Sequence, residues 1–459
     1  MLSVANSLLD SWNRPDSPVN STGDIFAWIR ELNNNTHVKI EEIPFSKNDF
    51  WFYDKNRGEI LNKKKKFFFI KGLSCRIDDE IVAEQPIIIQ DEIGFLGIIA
   101  KEIKGILHFL MQAKIEPGNV NGVQVSPTIQ ATRSNFTCVH GGQMPLYFDW
   151  FKEAQKYGVV LYDQIQSEQG SRFAGKRNRN IILLTSQDVP VFPNYKWMTL
   201  GQIKQQMKID NLVNMDTRTV LSGLLTVLNG LDGKNFERSF HDNALFNSVF
   251  QKNSELTKTA FSMLSDYKMY KDVSKKVVSL ETLPDWEVDD NGITSKKPAD
   301  FDVRYYAIEI DGRETRTWTQ PLFKAKSKAL FVLFTCVSNG VREFLISLRP
   351  EIGCFDKVEF GPSIQIANSI NYHGGDDAYR LFCEKDKTRQ KFLTDVVLSE
   401  EGGRFYHEQN RNVIVEIEKN ELPVSKDFLW VDYATLNALI SNNNLLNIQL
   451  RNLLSLLDL

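Results

Sequence analysis

Sliding the chain along itself by 235 residues brings its second half into register with its first. Trp51 falls on Trp286, Gln85-Pro86 on Gln320-Pro321, Gly105 on Gly340 and Phe109-Leu110 on Phe344-Leu345. Glu116, Gly118, Val123, Pro127, Ile129 and Gln130 fall on Glu351, Gly353, Val358, Pro362, Ile364 and Gln365. Between Gln85 and Gln130 this makes 11 identities in 46 ungapped positions, where composition alone gives roughly three. SEQGSRF (167–173) then meets SEEGGRF (399–405) at a shift of 232, and Trp197 and Arg218 meet Trp430 and Arg451 at 233. The pattern predicts two copies of one domain type, residues 1–232 and 233–459. Each is long enough to bury a core of its own, unlike a short solenoid repeat.

The bulk properties exclude several classes. A net charge of −3 with no basic half argues against nucleic acid or an anionic membrane as partner. No apolar run reaches the length that spans a bilayer. The opening MLSVANSLLDSWNRPDS lacks a basic n-region followed by an apolar stretch, so no secretory signal is expected. Five widely spaced cysteines without a CxxC pair point to reduced thiols in a cytoplasm and away from structural zinc.

Within each half, Phe- and Ile-rich segments read as strands: 67–77, 84–90, 93–103 and 106–115, matched by 305–310, 329–337 and 342–349. Gly105 and Gly340, each just before a strand, predict hairpin turns. A later strand (180–185, 412–418) and a leucine-rich helical stretch (199–229, 433–458) close each half. Antiparallel strands followed by helices make an α+β fold. The polar stretch 230–245 is the expected linker, too short and too unspecialised to hold the halves apart.

The densest polar constellation lies in the first half. On a strand, His108, Leu110, Gln112, Lys114 and Glu116 alternate with Phe109, Met111, Ala113 and Ile115, which gives one apolar face and one row of base, amide, cation and carboxylate. A solvated sheet face shows the same alternation, but His and Gln are unusual there. The row also runs into Gln130, Arg133, Ser134, Asn135 and His140. The second half reads Glu343, Leu345, Ser347, Arg349 and Glu351 instead, so the first half is the better candidate for chemistry. In SEQGSRF…KRNRN, Arg172, Lys176, Arg177 and Arg179 surround a glycine turn, and Arg172, Asn178 and Arg179 recur as Arg404, Asn410 and Arg411. Such a cationic loop can hold a diphosphate; a basic surface loop is the plainer alternative. Trp51, Phe136 and Trp150 are candidates to stack on a nucleotide base, against the more common core role. The chain has no GxGxxG after a strand, no GxxxxGK[ST], no HExxH and no GxSxG, so a nicotinamide site or a tightly held metal is not expected.

The run HFLMQAKIEPGNVNGVQVSPTIQATRSN…HGG (108–142), with GEILNKKKKFFFIKGL (58–73) before it and QSEQGSRF…KRNRN (166–180) after it, resembles the nucleotide-diphosphate-hexose 2,3-dehydratase family of deoxysugar biosynthesis. The resemblance covers essentially the whole chain, the duplication included. It implies tandem Nudix-like α+β domains, a homodimer, and a substrate pocket in one half only. It implies a nucleotide-linked 4-keto-6-deoxyhexose substrate, usually dTDP-linked, no redox cofactor, and a 3-ketoreductase acting on the product. The glutamate-rich metal box of Nudix hydrolases is missing from both halves, which puts metal-dependent diphosphate hydrolysis in doubt.

The reaction so implied starts from the acidity that a C4 ketone gives to the C3 proton. A base removes that proton, the C2 hydroxyl leaves, and the enol tautomerises to a 3,4-diketo-2,6-dideoxy sugar. This asks for a base poised near neutral pH, donors for the enolate oxygen and an acid for the departing hydroxyl. Lys114 and Arg133 are candidates for the enolate or a phosphate. His140 and Glu116 are the candidate base and acid in either order, with His108 in reserve. Gln112, Gln130, Ser134, Asn135, Arg172, Asn178, Arg179 and Trp51 are the candidate substrate contacts, and no metal ligand is assigned. Two alternatives remain: a protein that only binds nucleotide sugars, and a hydrolase using scattered carboxylates.

Overall fold

A computed structural model describes residues 2–65, 67–133, 144–252, 254–313, 315–367 and 376–459. The first copy's main sheet is built on the hairpin of strands Gly94–Ile103 and Ile106–Ile115. Its two-residue turn, Lys104-Gly105, has φ of 53° and 75°. Positive φ at both positions gives the turn a twist that matches its strands, and Gly105 adopts it without strain. Asn339-Gly340, at 50° and 76°, joins Ala329–Ser338 to Val341–Arg349 in the same way.

The sheets are mixed rather than antiparallel throughout. Arg177–Leu184 runs parallel to Gly94–Ile103, and Gln409–Glu416 runs parallel to Ala329–Ser338. A parallel neighbour requires a long crossover, and each copy devotes the segment between hairpin and late strand to it. The leucine-rich stretches form helices Leu200–Met207, Met215–Leu221, Tyr433–Ile440 and Ile448–Leu454. They bury their apolar faces in a core that takes residues from both copies.

The copies also exchange strands. Val38–Ile43 pairs with Phe301–Ile310 of the second copy, from Val38↔Ile310 to Ile43↔Tyr305. Its equivalent 235 residues on, Val273–Val278, pairs with Phe69–Ile77 of the first. Tertiary bonds repeat the reciprocity. Trp51 Nε1 donates to Thr319 O at 2.8 Å and Trp286 Nε1 to Glu84 O at 3.0 Å. Gln124 Nε2 donates to Ser399 Oγ, and Ser167 Oγ to Glu359 Oε2, each at 2.6 Å. Fully buried Arg218 donates to Ser399 O, and Arg451 to Ser167 O. The expectation that each copy buries a core alone is therefore corrected: each completes its sheets with a strand of the other.

The same symmetry explains which residues the duplication preserved. Gly118 N donates to Gly402 O at 2.7 Å, and Gly353 N to Gly170 O at 2.6 Å. A Cβ on Gly118 would lie 1.6 Å from Phe405 O, and one on Gly353 1.9 Å from Phe173 O. The two glycine loops, 167–173 and 399–405, are thus the places where each copy presses on the turn after the other's central hairpin.

Candidate functional site

On strand Ile106–Ile115 the expected polar row does not face water. His108 is fully buried, with Ser17 Oγ at 2.6 Å from Nε2 and Ile106 O at 2.8 Å from Nδ1. Burial lowers its pKa. Leu110, next along the row, packs in a core with Ile99, Ile181 and Trp197. Six strand residues separate His108 from Lys114, roughly 20 Å at about 3.3 Å each. The reserve base is therefore corrected to a satisfied core histidine, because neighbouring elements cover that end of the sheet. Gln112 is half-buried.

The row becomes a site at its other end. Lys114 Nζ lies 2.9 Å from Glu116 Oε1 and donates to Gln130 Oε1 at 2.8 Å. Gln130 Nε2 donates back to Glu116 Oε1 at 3.3 Å. Asn214 caps helix Met215–Leu221 and donates to Ser126 Oγ at 2.9 Å, its Nδ2 lying 3.5 Å from Gln130 Oε1. Burial pushes the Glu116 carboxyl upward, but Lys114, Arg313 and Arg404 outweigh it and leave the pKa below its ordinary value. Glu116 is thus an anion held by a cation, and the price of burying either is met by the other.

Further carboxylates converge on this pair. Asp216, one residue inside the helix, is 1% exposed, and neither of its oxygens has a hydrogen-bond partner among the described residues. Burial pushes its pKa well up, with Glu168, Glu401 and Glu116 adding to the effect and Lys114 opposing it. Glu401 is raised to about 7 by burial and by Glu116. Lys176, buried beside Glu92 and Glu168, falls to about 8. Among the described residues no group of three His, Cys, Asp or Glu side chains has the arrangement to hold a metal ion.

Glu401, Arg404 and Arg313 belong to the second copy, so the first-copy cluster is not built from that copy alone. The strand exchange and the Gly118–Gly402 contact bring them there. A site confined to the amino-terminal copy is corrected on this ground.

The symmetry-related position in the second copy is a small cavity of about 70 Å³ lined by Gln169, Arg172, Gln365, Glu400, Glu408 and Gln449. Its chemistry differs. Gln449 replaces Asp216 and Gln169 replaces Glu401. Arg349 turns its Nη2 to the carbonyls of Pro362 and Ser363, at 3.3 and 3.1 Å. Glu351, bonded by Gln365 Nε2 at 2.8 Å, is pushed upward by burial where Glu116 is held down.

Other expected site residues are dispersed. Arg172 stacks on Phe301 at 4.3 Å and faces Glu408 at 3.6 Å, on the second-copy side. Asn178 donates to Glu168 Oε2 at 2.7 Å, behind the first-copy cluster. Arg179 pairs through two nitrogens with Asp163, at 2.7 and 2.5 Å, on the opposite face of its strand. Strand alternation separates these side chains, so the loop forms no single diphosphate cradle, and Arg404, Asn410 and Arg411 repeat the structural roles. Trp51 is a core residue packed on Phe68 at 4.7 Å and offers no free face to a base, whereas Trp150 is half-buried with its ring against Tyr157. Arg133 is exposed. Ser134, Asn135, Phe136, His140 and His373 lie outside the described residues.

Sequence reasoning passed over Asp216, Glu401 and Arg404. A signal was present in the duplication. At a shift of 233, Asn214 and Arg218 match Asn447 and Arg451 while Asp216 meets Gln449; at 232, Gln169 meets Glu401. Acid against amide at otherwise matched positions marks where the copies differ in chemistry.

Comparison with known proteins shows the family. The family model for NDP-hexose 2,3-dehydratase matches residues 22–224 and again 257–457, once per copy. A dTDP-4-dehydro-6-deoxy-alpha-D-glucopyranose 2,3-dehydratase of Streptomyces violaceoruber is 33% identical over 443 residues, covering 95% of this chain and 97% of the relative. Proteins of the same name from Saccharopolyspora spinosa and Amycolatopsis orientalis are 34% and 33% identical, each covering 95% of this chain and 90% of the relative. The chain belongs to the NDP-hexose 2,3-dehydratase family.

Proposed function

We propose that this chain removes the C2 hydroxyl of a dTDP-linked 4-keto-6-deoxyhexose at the first-copy cluster. As a family member it is a hydro-lyase of deoxysugar biosynthesis; the nucleotide and sugar are taken from the names of its relatives. The observation that carries the location is the Lys114–Glu116–Gln130 cluster with Asp216 and Glu401 beside it, set against a second pocket with amides at the last two positions.

The chemistry follows from the substrate. Loss of the C3 proton places the electron pair on the C4 oxygen as an enolate. Lys114, fixed by Glu116 and Gln130, is the donor for that oxygen, and a preoriented cation in a water-poor site stabilises developing charge strongly. The enolate then expels the C2 hydroxyl, which needs a proton. Glu401, titrating near neutral pH, has the right balance of states to supply it. Glu116, kept ionised by Lys114, serves as an orienting anion rather than the acid.

The product is a vicinal diketone, so a reductase must consume it; we place a 3-ketoreductase next. A homodimer and a cytoplasmic location complete the reading. The location is supported by free thiols at Cys75, Cys336, Cys354 and Cys383, and no described helix is long and apolar enough to cross a membrane.

The test is incubation with dTDP-4-keto-6-deoxyglucose and trapping of the product with o-phenylenediamine. A quinoxaline derivative, formed equally with and without EDTA, supports the reading. Binding without consumption of the sugar, or magnesium-dependent release of dTMP, overturns it.

A further inference from the structure

Among the described residues Asp216 is a fully buried carboxylate with neither oxygen hydrogen-bonded. Buried polar atoms are ordinarily hydrogen-bonded, because an unpaired one forfeits its hydration without return. Asp216 has two such oxygens. Its neighbours Asn214 and Thr217 make the helix cap between themselves, the Asn214 side chain accepting from Thr217 N at 2.8 Å, so Asp216 is not needed there. The residue two positions on, Arg218, is directed to Ser399 O across the copy interface. In the second copy the equivalent helix keeps the Asn447 cap and Arg451 but carries Gln449, so the fold itself accepts an amide at this position.

The charged groups around Asp216 come from each packed element: Lys114 and Glu116 from the hairpin strand and its turn, Glu168 from the first glycine loop, Glu401 from the second copy's loop, and Arg218 from its own helix. Most are carboxylates; of the two cations, Lys114 is engaged by Glu116 and Gln130 and Arg218 donates to Ser399 O. Neither cation hydrogen-bonds Asp216, so a purely stabilising role leaves both of its oxygens without a direct partner among the described residues. A catalytic role supplies one, because the missing partner is then the substrate's carbon acid.

We infer that Asp216 is the general base that removes the C3 proton, working between Lys114, which receives the enolate oxygen, and Glu401, which protonates the departing C2 hydroxyl. This rests on the dehydratase reading above. The steps balance. Asp216 takes the proton and the C3–H electrons form the C3–C4 double bond of the enolate. The pair on the C4 oxygen returns, C2–C3 becomes the double bond, the C2–O bond breaks, and hydroxide leaves as water with the Glu401 proton. Protonated Asp216 then gives its proton to C2 while Glu401 takes that of the C3 hydroxyl, which leaves the diketone and both groups in their starting states. Desolvation among like charges raises the pKa of Asp216, the direction that makes a carboxylate basic enough for this step near neutral pH.

The test compares wild type with Asp216→Asn, and with Asp216→Gln, which reproduces the residue of the second copy. For both, kcat should fall at least about 100-fold, the lower bound for loss of a general base. The dTDP dissociation constant should stay within about twofold, and the melting temperature should not fall. In Asp216→Ala, added formate should restore kcat at least tenfold while leaving wild type unaffected. Turnover by either amide variant within fivefold of wild type overturns the assignment, as does loss of dTDP binding in step with kcat. Absence of rescue by formate overturns it too. An inactive wild-type protein would instead sink the dehydratase reading itself, so the two failures are distinguishable.

Discussion

Replacing Lys114 by Met separates the folding role of the Lys114–Glu116 pair from its catalytic role. The ammonium lies 2.9 Å from Glu116 Oε1, and the two side chains are only 12% and 7% exposed. Removing the cation leaves a buried carboxylate whose one side-chain hydrogen-bond partner among the described residues is Gln130. Breaking a buried pair in this way costs about 3–5 kcal/mol. Adding Glu116→Gln removes the stranded charge, so the double variant should recover most of that loss. Activity should behave differently. Loss of a preoriented donor to an oxyanion lowers kcat about 10²–10³-fold, and the second change gives no donor back. Urea unfolding and steady-state turnover, measured on wild type, both single variants and the double, make the comparison. Arg349→Met in the second copy should leave turnover within a few fold. Recovery of kcat together with stability in the double variant would refute a chemical role for Lys114.

Gly118→Ala should destabilise the protein by more than about 2 kcal/mol, because its Cβ would meet Phe405 O at 1.6 Å and neither backbone can yield cheaply; thermal melting of the purified variant measures it. Fragments 1–232 and 233–459 should each be insoluble or unfolded when expressed alone, since each lacks a strand the other carries. Co-expression should yield a soluble, active complex, and circular dichroism of the separate fragments decides the point. The folded-state pKa of Asp216 lies above its unfolded value, so it favours folding while protonated and that contribution is lost as pH rises through the raised pKa. Urea midpoints against pH should therefore show Asp216→Asn gaining on wild type with rising pH; a constant difference from pH 4 to 9 would contradict this.

The duplication, the hairpins and the α+β class were all legible in the sequence, because each rests on local pattern: a fixed offset, Gly-containing turns, and runs of Phe, Ile and Leu. The parallel pairing of Arg177–Leu184 with Gly94–Ile103 and the exchange of Val38–Ile43 were not legible, since both depend on contacts far apart in the chain. The same limit governed the site. Lys114, Glu116 and Gln130 could be grouped from the sequence because they share a strand or follow it closely. His108 was misjudged because strand alternation fixes the face of a residue but not what covers that face. Arg172 and Arg179 were preserved between copies for interface and ion-pair reasons that mimic the signature of a ligand loop. Glu401 and Arg404 reach Lys114 only through the glycine loop that crosses between copies, and no local pattern singles out Asp216.

The most direct measurement is turnover of dTDP-4-keto-6-deoxyglucose in deuterated water, followed by NMR of the product sugar. Elimination by way of a C3 carbanion predicts a 3,4-diketone in which C2 has become a methylene, with the nucleotide still attached and with deuterium at C2 to the extent that the proton held by Asp216 exchanges with solvent before it is returned. Unchanged sugar without exchange at C2 or C3, or cleavage to dTMP, would contradict the account.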